Sequence, residues 1–500
     1  MATSPANKPV ITIRSRDLLA GIANSPHLGF GLIKNIDLEY VEGVIRANIS
    51  PTKVSSTTVT GQMANFCYDN VGNMYGTDSA GKVYKSTNNG GTWSDITGGG
   101  MGATDCGRGI IFWKDYVITC GTTQMAAYGP ISGSPSWVIT GWTPDSLALT
   151  TAENHKMVIG PNDILYIANQ RYVASLKEDT NFDPTSTGSY TFNNQALDLR
   201  EDFEITTMDF LGDLLNVFAY LPPSSGIGDL KSGQIFPWDT LSDSFTTPIQ
   251  MRGVRKIASC LSVGGLMYFI TEDEEGAIYA FNGREVGLLR RFLFLTLATG
   301  ETSKFYFGGI MLMRDKIFFG LGNSSANGTY SVGVYSYDIK TGRVILENLI
   351  STGADGSASK VVISALLATG GSNYIIAWNV SDTTYGIDKV AGTARATSYA
   401  ASAESPFFRV AIKKEPFTFR RVEIELARDL VSGEGVKIEY RARKNDSWTT
   451  VATIDYATYG GINNIGLDFS ARVENVQFRI SLTTSGLVTT SPELIEVNFF

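Results

Sequence analysis

Asn65-Phe66-Cys67-Tyr68, Asn73-Met74-Tyr75-Gly76 and Lys82-Val83-Tyr84-Lys85 follow one another within residues 65–85. Each is a short apolar run, and the gaps between them hold Asp, Asn and Gly. Runs this short, bounded by turn residues, read as strands, and three in succession read as a small antiparallel sheet. The unit then recurs. Comparable strand–turn–strand patterns cover residues 110–119, 156–174, 206–218, 257–280, 309–338 and 363–388. No apolar spacing of the i, i+3, i+4, i+7 kind lasts three turns, so long helices are not expected.

These patterns amount to about seven units at a spacing of about 45–50 residues, which is the spacing of propeller blades. A lone blade leaves its faces wet, whereas radial stacking covers them. The expected fold class is therefore all-β. A β-propeller of about seven blades is expected over residues 61–400, with an extended N-terminal arm over 1–60 that lies against the body or a neighbouring subunit. After the Ala/Ser-rich stretch at 400–403 the pattern becomes a clean alternation. Val422, Ile424 and Leu426 alternate with Glu423 and Glu425, and Val436, Ile438 and Tyr440 with Lys437 and Glu439. Half-buried antiparallel strands alternate in this way, and residues 401–500 are expected to form a β-sandwich, jelly-roll-like domain.

One turn has sharper chemistry. Ser86-Thr87-Asn88-Asn89-Gly90-Gly91-Thr92-Trp93 resembles the Asp-box, S-x-D-x-G-x-T-W, with Asn88 in the place of the acid. The expected roles are structural. Asn88 hydrogen-bonds back to the backbone, Gly90 takes a positive φ, and Trp93 packs over the hairpin, with Ser86 and Thr92 completing the turn. The motif marks propellers of many activities, so it speaks for fold and not for chemistry.

Composition narrows the function. The 500 residues carry a net charge of −8 with only 18% charged residues, which argues against a broad nucleic-acid-binding face. The cysteines, Cys67, Cys106, Cys120 and Cys260, form no C-x-x-C pair and read as buried thiols, with a Cys106–Cys120 disulfide as the weaker alternative. His27 and His155 are far apart and lack a nucleophile motif. Residues 1–8 show no apolar core of a secretory leader, and the most apolar run, 292–298, is too short to cross a bilayer. Synthesis in a cytoplasm and no membrane contact are expected.

The acidic run Glu272-Asp273-Glu274-Glu275-Gly276 reads as a solvated hairpin turn. Asp69, Asp78 and Asp105 are placed where carboxylates would line a propeller mouth, as two do in glycosidases. Arg108, Arg171, Arg252, Arg255 and Arg284 fall at blade edges, as a sialidase-like site would need. Further basic groups at Arg252, Arg255, Lys256, Arg290 and Arg291, and at Lys413, Lys414, Arg420 and Arg421, lack interleaved aromatics and suit ion pairing. No phosphate loop, dinucleotide motif, metal-ligand spacing or catalytic set emerges, so no catalytic, cofactor or metal residue is expected.

Three features together resemble virion proteins of tailed bacteriophages. They are the opening Leu18-Leu19-Ala20-Gly21-Ile22-Ala23-Asn24-Ser25 with Lys34-Asn35-Ile36-Asp37-Leu38, the degenerate blades, and the closing run from Val436 through Asp446-Ser447-Trp448-Thr449 to Ser491-Pro492-Glu493-Leu494. The resemblance implies a non-enzymatic structural protein of the virion tail, of the nozzle or tail-hub kind. It would form a homo-oligomeric ring that contacts other tail or neck proteins and lets genomic DNA pass without specific binding. Two other readings are carried beside it. One is a carbohydrate- or receptor-binding module that meets a host surface glycan. The other is an Asp-box glycosidase of the sialidase kind.

Overall fold

The computed structural model describes residues 9–20, 32–41, 44–54, 59–142, 144, 154–199, 202–222, 233–251, 253–272, 276–292, 303–326, 332–395, 400–411, 415–444, 446–484 and 490–500. They divide into two compact units. The first comprises residues within Met1–Pro51, Val334–Leu349 and Val390–Phe500, and the second residues within Thr52–Gly333 and Ile350–Lys389.

The second unit is a succession of small antiparallel sheets. Sheet 1 holds Met63–Tyr68, Met74–Asp78, Lys82–Ser86 and Ser94–Asp95. Sheet 2 holds Gly109–Trp113, Tyr116–Cys120, Met125–Gly129 and Ser136–Val138. Sheet 3 is Met157–Ile159, Leu165–Asn169, Tyr172–Glu178 and Tyr190–Asp198, and sheet 4 is Glu204–Leu211, Leu214–Tyr220, Gln234–Trp238 and Ile249–Gln250. Sheet 5 is Lys256–Val263, Leu266–Glu272, Ala277–Phe281 and Val286–Arg291. In sheet 6 both Ser303–Lys304 and Ile310–Met313 pair with Lys316–Asn323. Sheet 7 holds Val361–Gly370, Asn373–Val380 and Thr384–Val390, and Thr52–Lys53 completes it from far away in the sequence.

The inner strands are buried on both faces, which explains their near-continuous apolar runs. Leu165–Asn169 and Tyr116–Cys120 are buried at every residue. Cores therefore form between neighbouring sheets. Trp113, Ile118 and Met125 of sheet 2 meet Leu165, Ile167 and Leu176 of sheet 3. Met63, Phe66 and Met74 of sheet 1 pack with Ala365, Ile375 and Ala377 of sheet 7. The close approach requires glycine at particular places. A Cβ on Gly308 would lie 2.2 Å from the Ala64 carbonyl oxygen. Gly107 adopts a φ of +104°, and a Cβ there would lie 2.4 Å from the Asp78 carbonyl oxygen.

The first unit contains two sheets. One runs Ile36–Val41, Val44–Ala47, Leu494–Phe499, Phe417–Leu426, Asn464–Val473, and Ile11–Arg14 pairs with Leu494–Phe499. In the other, Leu32–Lys34 lies between Val344–Asn348, to which it is parallel, and Ala401–Glu404. Asn475–Thr483, Gly435–Arg441 and Thr449–Asp455 follow. Phe419 and Phe499 of the one sheet pack against Phe478 of the other, with Phe478 and Phe499 stacked.

The fold-class expectation is corrected. The fold class anticipated one closed wheel of about seven blades followed by a sandwich. The chain is almost all-β with several four-stranded, blade-like sheets, but among the described residues no sheet closes into a barrel or propeller. Strand spacing specifies local hairpins and carries no information on closure. Val334–Asp338, read as part of the sixth blade, lies in the first unit with the rest of Val334–Leu349, where Lys34 registers with Leu346. In the N-terminal segment, Ile11–Arg14, Leu32–Lys34, Ile36–Val41 and Val44–Ala47 are built into the two sheets of the first unit, and Thr52–Lys53 pairs into sheet 7. Fully buried strands look alike in sequence whichever sheet takes them.

Candidate functional site

The second unit holds a cavity of about 310 Å³. Its wall is built where chain segments enter the first strands of successive sheets. Arg108 immediately precedes Gly109–Trp113, Asn154 lies just before Met157–Ile159, and Lys256 opens Lys256–Val263. Lys304 ends the short strand Ser303–Lys304 and leads into Phe305, Tyr306 and Phe307, all in the wall. Strand starts are suited to this work, since their backbone is held by the sheet while the side chain is free to face a hollow.

Charge distinguishes the hollow. Arg108, Lys256 and Lys304 bring three positive groups against one carboxylate, Glu272, a lining balance of +2 in a chain of −8. Glu272 is placed by register, directly across from Lys256 in the antiparallel ladder. It is ion-paired with Lys304. Arg108 is held by its backbone, whose N–H donates to the Cys120 carbonyl at 2.8 Å and whose carbonyl accepts from His155 N–H at 2.9 Å. The Asn154 Oδ1 atom is buried and meets no hydrogen-bond donor. Gln62, at another point of the wall, accepts from Asn379 Nδ2 at 3.0 Å. The arrangement presents cationic donors, amides and aromatic rings to one small space, which is the recognition chemistry of an anionic, hydroxyl-bearing molecule.

The residues singled out from sequence are distributed differently. Among the arginines considered for a sialidase-like site, Arg108 reaches the cavity. Arg171 pairs with Asp198 and stacks on Tyr172, Arg255 and Arg284 are exposed, and Arg252 lies outside the described residues. Asp69, Asp78 and Asp105 do not line the cavity. They close turns: Asp69 accepts from Asn73 N–H at 2.8 Å, Asp78 from Lys82 N–H at 3.1 Å, and Asp105 from Gly102 N–H at 3.0 Å. Of the acidic run, Glu272 forms part of the wall, while Asp273, Glu274 and Glu275 lie outside the described residues. His27 also lies outside them. His155 is fully buried, with Nδ1 2.7 Å from the Ala168 carbonyl. Lys413 and Lys414 lie outside, and Arg421 pairs with Glu423 and Asp468.

Ser86, Asn88, Gly90, Thr92 and Trp93 form one turn. Asn88 Oδ1 accepts from Thr92 N–H at 2.8 Å and from the Ser86 hydroxyl at 3.0 Å, and Gly90 N–H donates to Ser86 Oγ at 3.0 Å. Gly90 has a φ of +76°, and Trp93 is buried against Phe66. The four cysteines are free thiols. Burial pushes the Cys106 thiol up to about 12, and likewise raises the other three, so none is a ready nucleophile. Among the described residues no group of three or more His, Cys, Asp or Glu is placed to hold a metal, and no helix is long and apolar enough to cross a membrane.

Lys304, Asn154 and the aromatic trio were not anticipated, and Lys256 was noticed only as part of a basic group. Their common signal is position at the start of a blade-like sheet, which is visible only once the strand boundaries are known.

No protein-family model and no curated protein matches the chain. Among solved structures, it is similar to an exo-β-1,3-galactanase from Phanerochaete chrysosporium bound to β-1,3-galactotriose, at 10% identity and a TM-score of 0.32, covering 90% of this chain and 99% of that one. It is also similar to the WD40 β-propeller domain of Doa1, at 9% identity and a TM-score of 0.42 over 69% of this chain and 98% of that one. The N-terminal domain of Nup159 matches at 11% identity and 0.38, over 71% and 98%. These likenesses are glycosidase and WD40 or nucleoporin domains and none is a virion protein. On that finding the tail-protein reading is withdrawn, and so is the expectation that the chain is not an enzyme. At these identities and TM-scores they assign no activity.

Proposed function

We propose that this protein binds a negatively charged carbohydrate in the cavity of its second unit. The observation that carries the reading is the lining balance of +2, from Arg108, Lys256 and Lys304 against Glu272, inside a chain of net charge −8. A concave site with low-dielectric walls concentrates the field of those cations and draws an anion towards it. Asn154 Oδ1, buried without a donor, is matched by a sugar hydroxyl. Phe305, Tyr306 and Phe307 supply apolar surface for the faces of a sugar ring. The volume, about 310 Å³, stands at the small end of the roughly 300–1,000 Å³ of ligand pockets and suits a short saccharide.

Glycoside hydrolysis is the weaker second reading, resting on Glu272 in the wall. Hydrolysis of the usual kind needs two carboxylates roughly 5–9.5 Å apart. Glu272 is the only carboxylate among the described lining residues, and Lys304 is already paired with it.

A glycan array that contrasts uronic-acid, sialylated and sulfated glycans with neutral ones tests the proposal. Acidic glycans should be retained and released by salt, and Lys256→Gln should weaken binding about tenfold or more. Retention confined to neutral glycans, or binding unchanged in an Arg108→Gln, Lys256→Gln double variant, would overturn it. Release of reducing sugar that Glu272→Gln abolishes would replace binding by hydrolysis.

A further inference from the structure

The first unit carries a second charged hollow, of about 270 Å³, on the outer face of its larger sheet. Cross-strand register builds it. Lys34 stands opposite Ser402, Ser402 opposite Ser481, and Ser481 opposite Lys437, so two hydroxyls lie in a row between two ammonium groups. The neighbouring row sets Glu404 opposite Arg479 and Arg479 opposite Glu439. Strand partners on one face lie close enough for long side chains to meet over the sheet.

This row is rigidly supported. Glu439 binds Lys437 at 2.7 Å and takes Nε and Nη2 of Arg479 at 2.8 and 2.6 Å. Arg479 Nη1 is ion-paired with Glu404 at 4.0 Å, and Arg441 with the same carboxylate at 3.5 Å. The Trp448 ring is stacked by Arg479 at 4.4 Å and by Arg441 at 4.3 Å, and Arg441 is anchored to Gln477 Oε1 at 2.7 Å. Ser481 is 2% exposed and Ser402 8%, and both line the hollow. The lining holds Lys34, Lys437 and Arg479 against Glu439, and Glu404 of the neighbouring row, 4.0 Å from Arg479, offsets a further part of that charge.

We infer that this hollow is an oxyanion site that takes a sulfate or phosphate group, free or as an ester. The donors are of the kinds that tetrahedral oxyanions select: two ammonium groups, a guanidinium edge and two hydroxyls. Glu439 aligns Lys437 and Arg479 and neutralises only part of their charge. The hydroxyls supply short neutral donors at the floor, which a carboxylate-only pairing would leave unused. The inference is independent of the sugar-binding cavity, since every contributing residue belongs to the first unit.

Calorimetric titration of the full chain with inorganic sulfate, inorganic phosphate and acetate tests this in an Arg108→Gln, Lys256→Gln background, which silences the cavity. Saturable binding of sulfate or phosphate, with acetate at least tenfold weaker, is expected. Lys34→Gln should weaken it about tenfold. Tryptophan fluorescence should shift on binding, and the shift should vanish in Trp448→Phe while calorimetric binding persists. No saturable binding, binding indifferent to both Lys34→Gln and Lys437→Gln, or equal affinity for acetate would each overturn the inference. Sulfate, phosphate and a sugar sulfate compared in one series distinguish a free ion from an ester-borne group.

Discussion

Asp388 shows how a single buried carboxylate couples this fold to pH. It is fully buried in Thr384–Val390, and Ser351 donates to it twice, from N–H and Oγ, each at 2.6 Å. Burial raises its pKa above the ordinary 3.8, and the Ser351 donors and the Lys53 charge offset this only in part. The sign follows from linkage. Folding favours the protonated form, so the contribution is full below the unfolded value and is lost as pH rises through the raised folded value. Asp388→Asn keeps an acceptor for the Ser351 amide and can donate to its hydroxyl. The melting temperature of the variant relative to the parent should therefore climb as pH is raised from about 4 to 7. A difference that is flat or falls with pH, measured by scanning calorimetry, would contradict this account. At the same scale the turn at Ser86–Trp93 was largely legible, because its hydrogen bonds run between residues a few positions apart. The pairing of Ser351 with Asp388, 37 residues away, was not.

Among the elements, the strands were the most readable feature and their grouping the least. Short runs such as Ile110–Trp113 announce a strand by composition, and the hairpin turns announce the next. Nothing local announces that Thr52–Lys53 will complete a sheet with Thr384–Val390, or that Leu32–Lys34 will lie between Val344–Asn348 and Ala401–Glu404. The glycines record where elements press together. The Gly308 carbonyl accepts from Leu366 N–H at 2.9 Å, and its Cα faces the Ala64 carbonyl at the edge of the cavity of the second unit. Gly308→Ala inserts a methyl group against backbone, which cannot yield by a rotamer change. We expect a loss of about 1–3 kcal/mol in chemical denaturation, together with weaker glycan retention, because Ala64 and Phe307 flank the site. Unchanged stability would show that the sheets tolerate separation there.

For the whole molecule, the consequence is interdependence of distant segments. The first unit collects residues from both ends of the chain and from 334–349. Its strand Leu494–Phe499 is flanked by Val44–Ala47 and Phe417–Leu426 and also pairs with Ile11–Arg14, and Ala401–Glu404 covers Leu32–Lys34. Truncation after Lys389 would strip Ile11–Arg14 and Leu32–Lys34 of those partners and expose their edges and apolar faces. Such a chain should aggregate or bind a hydrophobic dye strongly. A truncated chain that is soluble, monodisperse and cooperative in melting would mean that the terminal segments are dispensable to the rest.

The acidic balance, the near absence of long helices, the repeated strand–turn–strand units and the Ser86–Trp93 turn were determined by sequence alone, because composition is a sum and hairpins are local. The tertiary structure decided which strands share a sheet, that among the described residues no sheet closes on itself, and that Arg108, Lys256, Lys304 and Glu272 surround one hollow. Those facts depend on contacts between residues far apart in the chain. Side-chain periodicity is the same on every strand of a given burial, so it cannot say which partner a strand will choose.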